Sequence, residues 1–429
     1  MPKKLNNFWW LVLILIAGFV ARIVLVNKVI VGDELTFFEW GQKFWEWGPA
    51  GYYFGNHTWF YSYPNYPPVI MWIFAGLSWL FQHRYWLAQM HNIVRFPPAF
   101  FIVYFYKYGE LLLYKLLPIL SDLGLGVIIY KLVVKLTGKK PRALMAAAFF
   151  VLNPLTVFLS GAWGQIDSLV ALLGMSAFLL MVNKKIAWSM IFFFLAMYVK
   201  PTWGLLVPLY LYLLYLQKPA LKKLVISVLI ILILLAVVSL PFADGNLIKF
   251  TQKIWYDRYF VPIKYSGRAS SSAFDFMTIF LKIDRDPYNA KVLGIIPADL
   301  LGLIFYIILN ILACKFLKKS KDKLWGTLVG IFIVGTGGFL FMSNMLERYF
   351  FAGFVPMIIV MFVDIKTFFY GLIINLIFMA NLLWSFYRRG SDEIDHPFTN
   401  NNFLLIKILS VIVVAAFSKF YLAVRRVKI

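Results

Sequence analysis

Residues 222–241, KKLVISVLIILILLAVVSLP, decide the fold class. Behind Lys222 and Lys223 the run is apolar over roughly the 20 residues that a helix needs to cross a bilayer, so it reads as a transmembrane helix. Upstream, comparable runs lie near 8–27, 110–136, 143–159, 166–182, 186–199 and 203–217. Downstream they recur near 294–317, 324–343, 348–364, 367–386 and 403–424. Window length thus gives roughly twelve spans. Residues 67–106 add none or two: their two shorter apolar stretches, broken by His83, Arg84, Arg95 and Pro97–Pro98, read as a membrane hairpin or as helices on the outer face. The expected fold is an all-α polytopic membrane protein of roughly 12 to 14 transmembrane helices, with outer loops bearing interfacial helices. Hydrophobic residues at 62% against 14% charged exclude a soluble protein.

One integral membrane domain is expected over 1–429. It divides into a first outer loop region (28–107), central helices (108–241), a second long outer loop (242–293) and carboxy-terminal helices (294–429). The first segment follows Lys3 and Lys4 with no cleavage site after it, so an uncleaved signal anchor is expected. A single cysteine, Cys314, excludes a disulfide framework and a thiolate metal cluster. His57, His83, His91 and His396 show no metal-ligand spacing. There is no phosphate-cradling glycine motif, no nucleophile elbow and no internal repeat, which leaves nucleotide-driven transport without support. The net charge of +23 needs no nucleic acid, since topology and anionic lipid account for it.

With the amino terminus cytoplasmic, the dense basic clusters all fall inside: Lys139, Lys140 and Arg142; Lys184 and Lys185; Lys218, Lys222 and Lys223; Lys315 to Lys323; and the Arg425, Arg426, Lys428 tail. Every candidate for chemistry then falls outside. The first is VGDELTFFEWGQKFWEWGPAGYYFGNHTWFYSYPNYPP, residues 31–68, where Asp33 and Glu34 sit just past the first apolar segment. Charge there is costly to keep without use, although Asp is also a good helix cap. Phe37, Trp40, Phe44 and Trp47 recur at helical spacing, as in a helix lying along the membrane surface, and aromatics around Asp33 are suited to stacking on a sugar.

In GAWGQIDSLVAL, residues 161–172, Gly161 and Gly164 flank Trp163 in what reads as a tight turn that lets backbone approach a ligand, with Asp167 either a cap or functional. Lys200, before Pro201, stands alone on the face that basic residues otherwise avoid, where snorkelling is the plainer account. Glu347 and Arg348 read as a local ion pair or, through the arginine, as a phosphate site. The second outer loop adds Arg258, Lys264, Arg268 and SSSAFDFMTIF, residues 270–280. Asp284 and Asp286 form an Asp-Arg-Asp spacing that is a weak signal for a divalent cation.

GDELTFFEWG, YPNYPPVIMW, KLLPILSDLGLGVIIYKLV, LNPLTVFLSGAWGQIDSLVAL, Lys200-Pro201, SSSAFDFM and LERYFF resemble, in this order, the motifs of bacterial membrane mannosyltransferases related to the GPI mannosyltransferases, within the GT-C class of membrane glycosyltransferases. The resemblance spans most of residues 30–356. Three positions depart from it: Leu346 where the family often has histidine, Thr202 where glutamine is common, and Asp275 where asparagine is usual.

The resemblance implies a GT-C fold and transfer of a sugar, mannose favoured, from a polyprenyl-phosphate donor to an acceptor hydroxyl, with inversion, on the outer face. A phosphate leaving group needs cations and the acceptor needs one base, whereas a glycoside hydrolase would usually show two carboxyls in acid and base roles. Asp33 is then the expected general base, supported by Glu34. Lys200, Arg348, Arg258 and Arg268 are expected to bind donor phosphate, and Trp163, Gln165, Asp167, Tyr66 and Glu347 to contact sugar or acceptor. A divalent cation is optional. The expected partners are the lipid-linked donor, membrane lipid and an acceptor that is protein, glycolipid or cell-envelope glycan, since the Asp-Glu pair also resembles protein O-mannosyltransferases and aminoarabinose transferases. The expected location is a prokaryotic cell membrane, the alternative an endoplasmic reticulum membrane. The rival reading is a transporter or flippase of a lipid-linked sugar.

Overall fold

The computed structural model describes residues 6–261, 267–390 and 403–427. From the amino end, α1 (Asn7–Ile23), α2 (Gly32–Trp47), α3 (Pro68–Gln82) and α4 (Tyr85–Val94) precede α5 (Ala99–Thr137). Next come α6 (Lys140–Val151), the short α7 (Pro154–Val157) with a π-helical continuation Phe158–Ala162, α8 (Asp167–Val182), α9 (Ile186–Val199), α10 (Val207–Gln217) and α11 (Leu221–Ser239). The second loop region carries α12 (Leu247–Trp255), α13 (Phe276–Phe280) and an antiparallel pair, β1 (Lys291–Val292) with β2 (Ile296–Pro297). The chain then continues through α14 (Ala298–Lys319), α15 (Lys323–Phe341), α16 (Phe351–Val363), α17 (Phe368–Gly390) and α18 (Phe403–Val424).

Six of these helices are long and apolar enough to cross a membrane, or seven if the bent pair Lys140–Val151 and Pro154–Ala162 forms one span. The chain is therefore an all-α polytopic membrane protein. Several expected segments differ in form, for local reasons. The run near 143–159 bends by 42° where Asn153 caps the turn at Pro154, its side chain accepting from the Leu155 N–H at 3.1 Å. The run near 110–136 starts earlier, because nothing between Ala99 and Gly109 breaks the helix. The resulting 39-residue α5 is about 58 Å long, nearly twice the hydrocarbon core. Pro201 cannot continue α9, so the next segment opens as a 3-10 helix, Pro201–Leu206. The remaining expected spans are shorter apolar helices, α1, α8, α9 and α16.

The deepest element is α15. Gly335 lies where a Cβ would come within 2.6 Å of the Gly353 nitrogen, so α15 and α16 cross backbone against backbone, as small residues allow in membranes. In contrast, α11 exposes Leu229, Ile233 and Val237 on a side left open to lipid. Phe37, Trp40 and Phe44 of α2 are buried, with Phe37 stacked on Phe74 of α3 at 4.9 Å. The face assigned from sequence to the membrane surface is thus packed on protein, because α3 supplies Ile70, Met71 and Phe74 as partners.

Candidate functional site

The first turn of α2 places two adjacent carboxylates in different environments. Val31, extended at φ −125°, starts the helix, and Glu34 three residues on accepts its N–H at 3.3 Å. Glu34, not Asp33, therefore closes the helix start. Lys115 of α5 lies 2.8 Å from Glu34 Oε1, while its ammonium donates to the carbonyls of Val26, Val29 and Ala162 at 2.9, 2.9 and 2.8 Å. All three N–H groups are taken by carbonyls, so Glu34 is held by charge. Burial outweighs this attraction and raises the Glu34 carboxyl to about 7.

Asp33 is only half-buried, and its Oδ2 accepts from Trp163 Nε1 at 3.1 Å and Gln165 Nε2 at 2.6 Å. Both donors come from the turn between the π-helix and α8, shaped by Gly161 and Gly164. The ligand approach expected of these glycines is taken by the protein itself. A Cβ on Gly161 would meet the Arg22 backbone at 2.9 Å, and one on Gly164, at φ +72°, would meet Glu34 Oε1 at 2.6 Å.

Two buried ion pairs complete the group. Asp167 opens α8 without capping it; its oxygens receive Lys200 Nζ at 2.9 and 2.8 Å. Lys200 is buried rather than snorkelling, its Nζ 5.6 Å from the Tyr66 ring centre and 5.7 Å from that of Tyr349. Arg348 pairs with Glu347 at 2.8 Å and lies 5.7 Å over the Trp163 ring, so the pair is buried where sequence allowed an exposed one. Tyr66 is carried on a loop pinned to α2: Glu39 accepts the N–H groups of Phe60 and Tyr61, and Trp40 Nε1 donates to the Ser62 carbonyl at 2.7 Å. Desolvation raises the Tyr66 phenol above the ordinary range, and the charges that act on it are those of Arg348, Asp167 and Asp33.

Asp33, Tyr66, Trp163, Gln165, Asp167, Lys200, Glu347 and Arg348 are thus one constellation, with Glu34 and Lys115 beneath it. It holds four carboxyl groups against three cations. Gln165 Oε1 and Arg348 Nε are buried with no hydrogen-bond partner among the described residues, as at sites built to receive a polar ligand.

Other expected residues lie elsewhere. Arg268 is exposed; its backbone N–H binds Asn344 at 3.2 Å and its guanidinium makes no contact with the constellation among the described residues. The Arg258 side chain, Lys264 and His396 lie outside the described residues. Asp284 is taken by Arg388 at 2.6 Å and Ser272 at 2.9 Å, and Asp286 accepts the Lys282 N–H at 2.8 Å. No group of three metal-ligating side chains forms among the described residues. Asp275 is buried within its own loop, capping α13 through the Thr278 N–H at 2.8 Å.

Sequence reasoning missed Lys115 and a second buried pair, Arg22 of α1 with Asp122 of α5 at 3.0 Å. Arg22 also donates to Ser160, Thr156 and the carbonyls of Gly18 and Val151, and Ser168 binds Asp122 at 2.6 Å. Both pairs clamp the π-helix from below. The available signal was charge inside an apolar segment. Compared with protein-family models and with curated proteins, the chain matches none.

Proposed function

We propose that the chain is a glycosyltransferase of GT-C type, with roughly 12 to 14 spans once the shorter apolar helices are counted as crossing. It transfers a sugar, mannose favoured, from a polyprenyl-phosphate donor to an acceptor hydroxyl on the outer face of a prokaryotic cell membrane. The observation that carries this reading is the half-buried Asp33 carboxylate, held by two N–H donors beside the Asp167–Lys200 and Glu347–Arg348 pairs.

In the reaction the acceptor oxygen attacks the anomeric carbon from the face opposite the phosphate. The new C–O bond forms as the bond to phosphate breaks, the acceptor proton passes to Asp33, and polyprenyl phosphate departs. Trp163 and Gln165 fix the carboxylate that takes the proton. Lys200 and Arg348 meet the charge developing on the leaving oxygen, where preorganised cations act most strongly away from water. Their carboxylate partners Asp167 and Glu347 hold them in place before the donor arrives. Tyr66 and Tyr349 flank Lys200, and Trp163 lies against Arg348, rings that suit a sugar face.

The test offers purified protein polyprenyl-phosphate mannose, glucose and arabinose with a mixed acceptor extract and follows release of polyprenyl phosphate. One donor is expected to react, with Asp33→Asn slowing release by about 10²-fold or more. Saturable donor binding with no release from any donor, unchanged in Asp33→Asn, would instead identify a carrier of lipid-linked sugar.

A further inference from the structure

A cavity of about 940 Å³ opens at the opposite end of the bundle, between the carboxy-terminal ends of α14 and α18 and the start of α15. Lys315 and Lys319 line it from one face of α14 at i, i+4 spacing, joined by Lys321 of the following loop and Arg425 beyond α18. These four cations make no ion pair among the described residues. The nearby acid, Asp322, is engaged in capping α15 through the N–H groups of Leu324 and Trp325. Lys323 is turned away, onto the carbonyls of Leu317, Lys318 and Ser320.

The inner wall is apolar, with Phe316 on the same stripe of α14. Trp325 also lines the cavity, and its buried indole N–H has no hydrogen-bond partner among the described residues. Four cations without an ion pair around one cavity, with a buried indole N–H in its lining that lacks a partner among the described residues, call for an acceptor-rich anion. The apolar wall, at the ends of membrane helices, calls for acyl chains attached to it.

We infer that this cavity is a specific site for the phosphate head group of an anionic phospholipid. Lys315, Lys319, Lys321 and Arg425 surround the phosphate, Trp325 donates to it, and the acyl chains leave along Phe316. Basic pockets between membrane helices hold such head groups in general. A second cavity of about 780 Å³ at the same end, lined by Lys139, Lys140 and Arg142, provides an internal control. There Arg142 is already bonded to the Val363 carbonyl at 3.3 Å.

The experiment is native mass spectrometry of the delipidated full chain, titrated with phosphatidylglycerol, phosphatidylcholine or inorganic phosphate. Wild type is expected to retain phosphatidylglycerol in preference to phosphatidylcholine. The triple variant Lys315→Gln, Lys319→Gln, Arg425→Gln should bind about 100-fold more weakly, since each basic contact contributes about fivefold. Trp325→Phe, which keeps the ring, should weaken binding about fivefold. Lys139→Gln with Lys140→Gln should leave retention unchanged. Equal binding of phosphatidylcholine, equal loss in the Lys139 and Lys140 variant, or displacement of the lipid by inorganic phosphate at equal concentration would each overturn the assignment.

Discussion

Lys115 directs one charge at three segments: α2 through Glu34, the chain after α1 through Val26 and Val29, and the π-helix through Ala162. Removing it would strand a buried carboxylate and three carbonyls, a class of change that costs about 3–5 kcal/mol. The Glu34 side of the pair titrates. Its folded value, about 7, lies above the ordinary 4.5, so the native state holds a proton that the unfolded state has released between those values. That contribution to stability is therefore fully present below pH 4.5 and is lost as pH rises through 7, about 3 kcal/mol in all. Melting of wild type and Glu34→Gln in detergent at pH 5 and pH 8 checks this. The fall in midpoint between the two pH values should shrink in Glu34→Gln, and Lys115→Met should melt lower than wild type at pH 8. An unchanged pH slope in Glu34→Gln would remove the titration from this site.

Among elements, α13 shows the reach of sequence and its limit. The SSSAFDFM run was legible as a loop motif, but where its carboxylate points was not. Asp275 is buried with Oδ1 on Thr278 and Oδ2 without a partner among the described residues, and desolvation lifts it to about 8. Raised from 3.8, it too contributes stability at low pH that is lost on the way to pH 8, roughly 4 kcal/mol by neutral pH. Asp275→Asn keeps the acceptor for Thr278 and removes the titration. It should raise the melting midpoint at pH 7.5 and leave it nearly unchanged at pH 4; a gain of equal size at both would point to packing instead. The same contrast runs through the site. Asp33, Asp167, Lys200 and Arg348 were readable because each lies beside a turn or proline at the end of an apolar run. Their pairing was not, since Asp33 meets Gln165 and Asp167 meets Lys200 across long stretches of chain. Arg22 and Asp122 were overlooked for the same reason: each is a lone charge in an apolar helix until the partner a hundred residues away is placed. The two turn glycines announced close approach, yet their neighbour is the protein's own Glu34 and Arg22.

For the molecule as a whole, the paired termini of α8 and α9 set the polarity. Asp167 and Lys200 meet at one end of this hairpin, so Lys184 and Lys185 in its connection must lie at the other. Likewise α15 runs from the Lys318–Lys323 region toward Glu347 and Arg348, and α5 runs from the side of α2 and α3 toward Lys139 and Lys140. Basic loops and constellation therefore occupy opposite ends, and the cytoplasmic preference of Lys and Arg makes an outward-facing constellation the proposal that labelling tests. In a Cys314→Ser background, cysteines at the exposed positions Tyr61 and Lys140 report on each end. A membrane-impermeant maleimide should label Tyr61→Cys on intact cells and Lys140→Cys only after permeabilisation. Labelling of both from outside would mean an even number of crossings between them, which α5 as a single span forbids unless α3 and α4 together contribute an odd number. Labelling in the reverse order would invert the molecule and place Asp33 in the cytoplasm, where a donor presented on the outer leaflet could not reach it. A third cysteine at Ile93, an apolar position 81% exposed on α4, separates the two remaining arrangements of residues 67–106. Protection of Ile93→Cys even after permeabilisation puts α4 in lipid, and labelling on intact cells puts it on the outer surface beside α2.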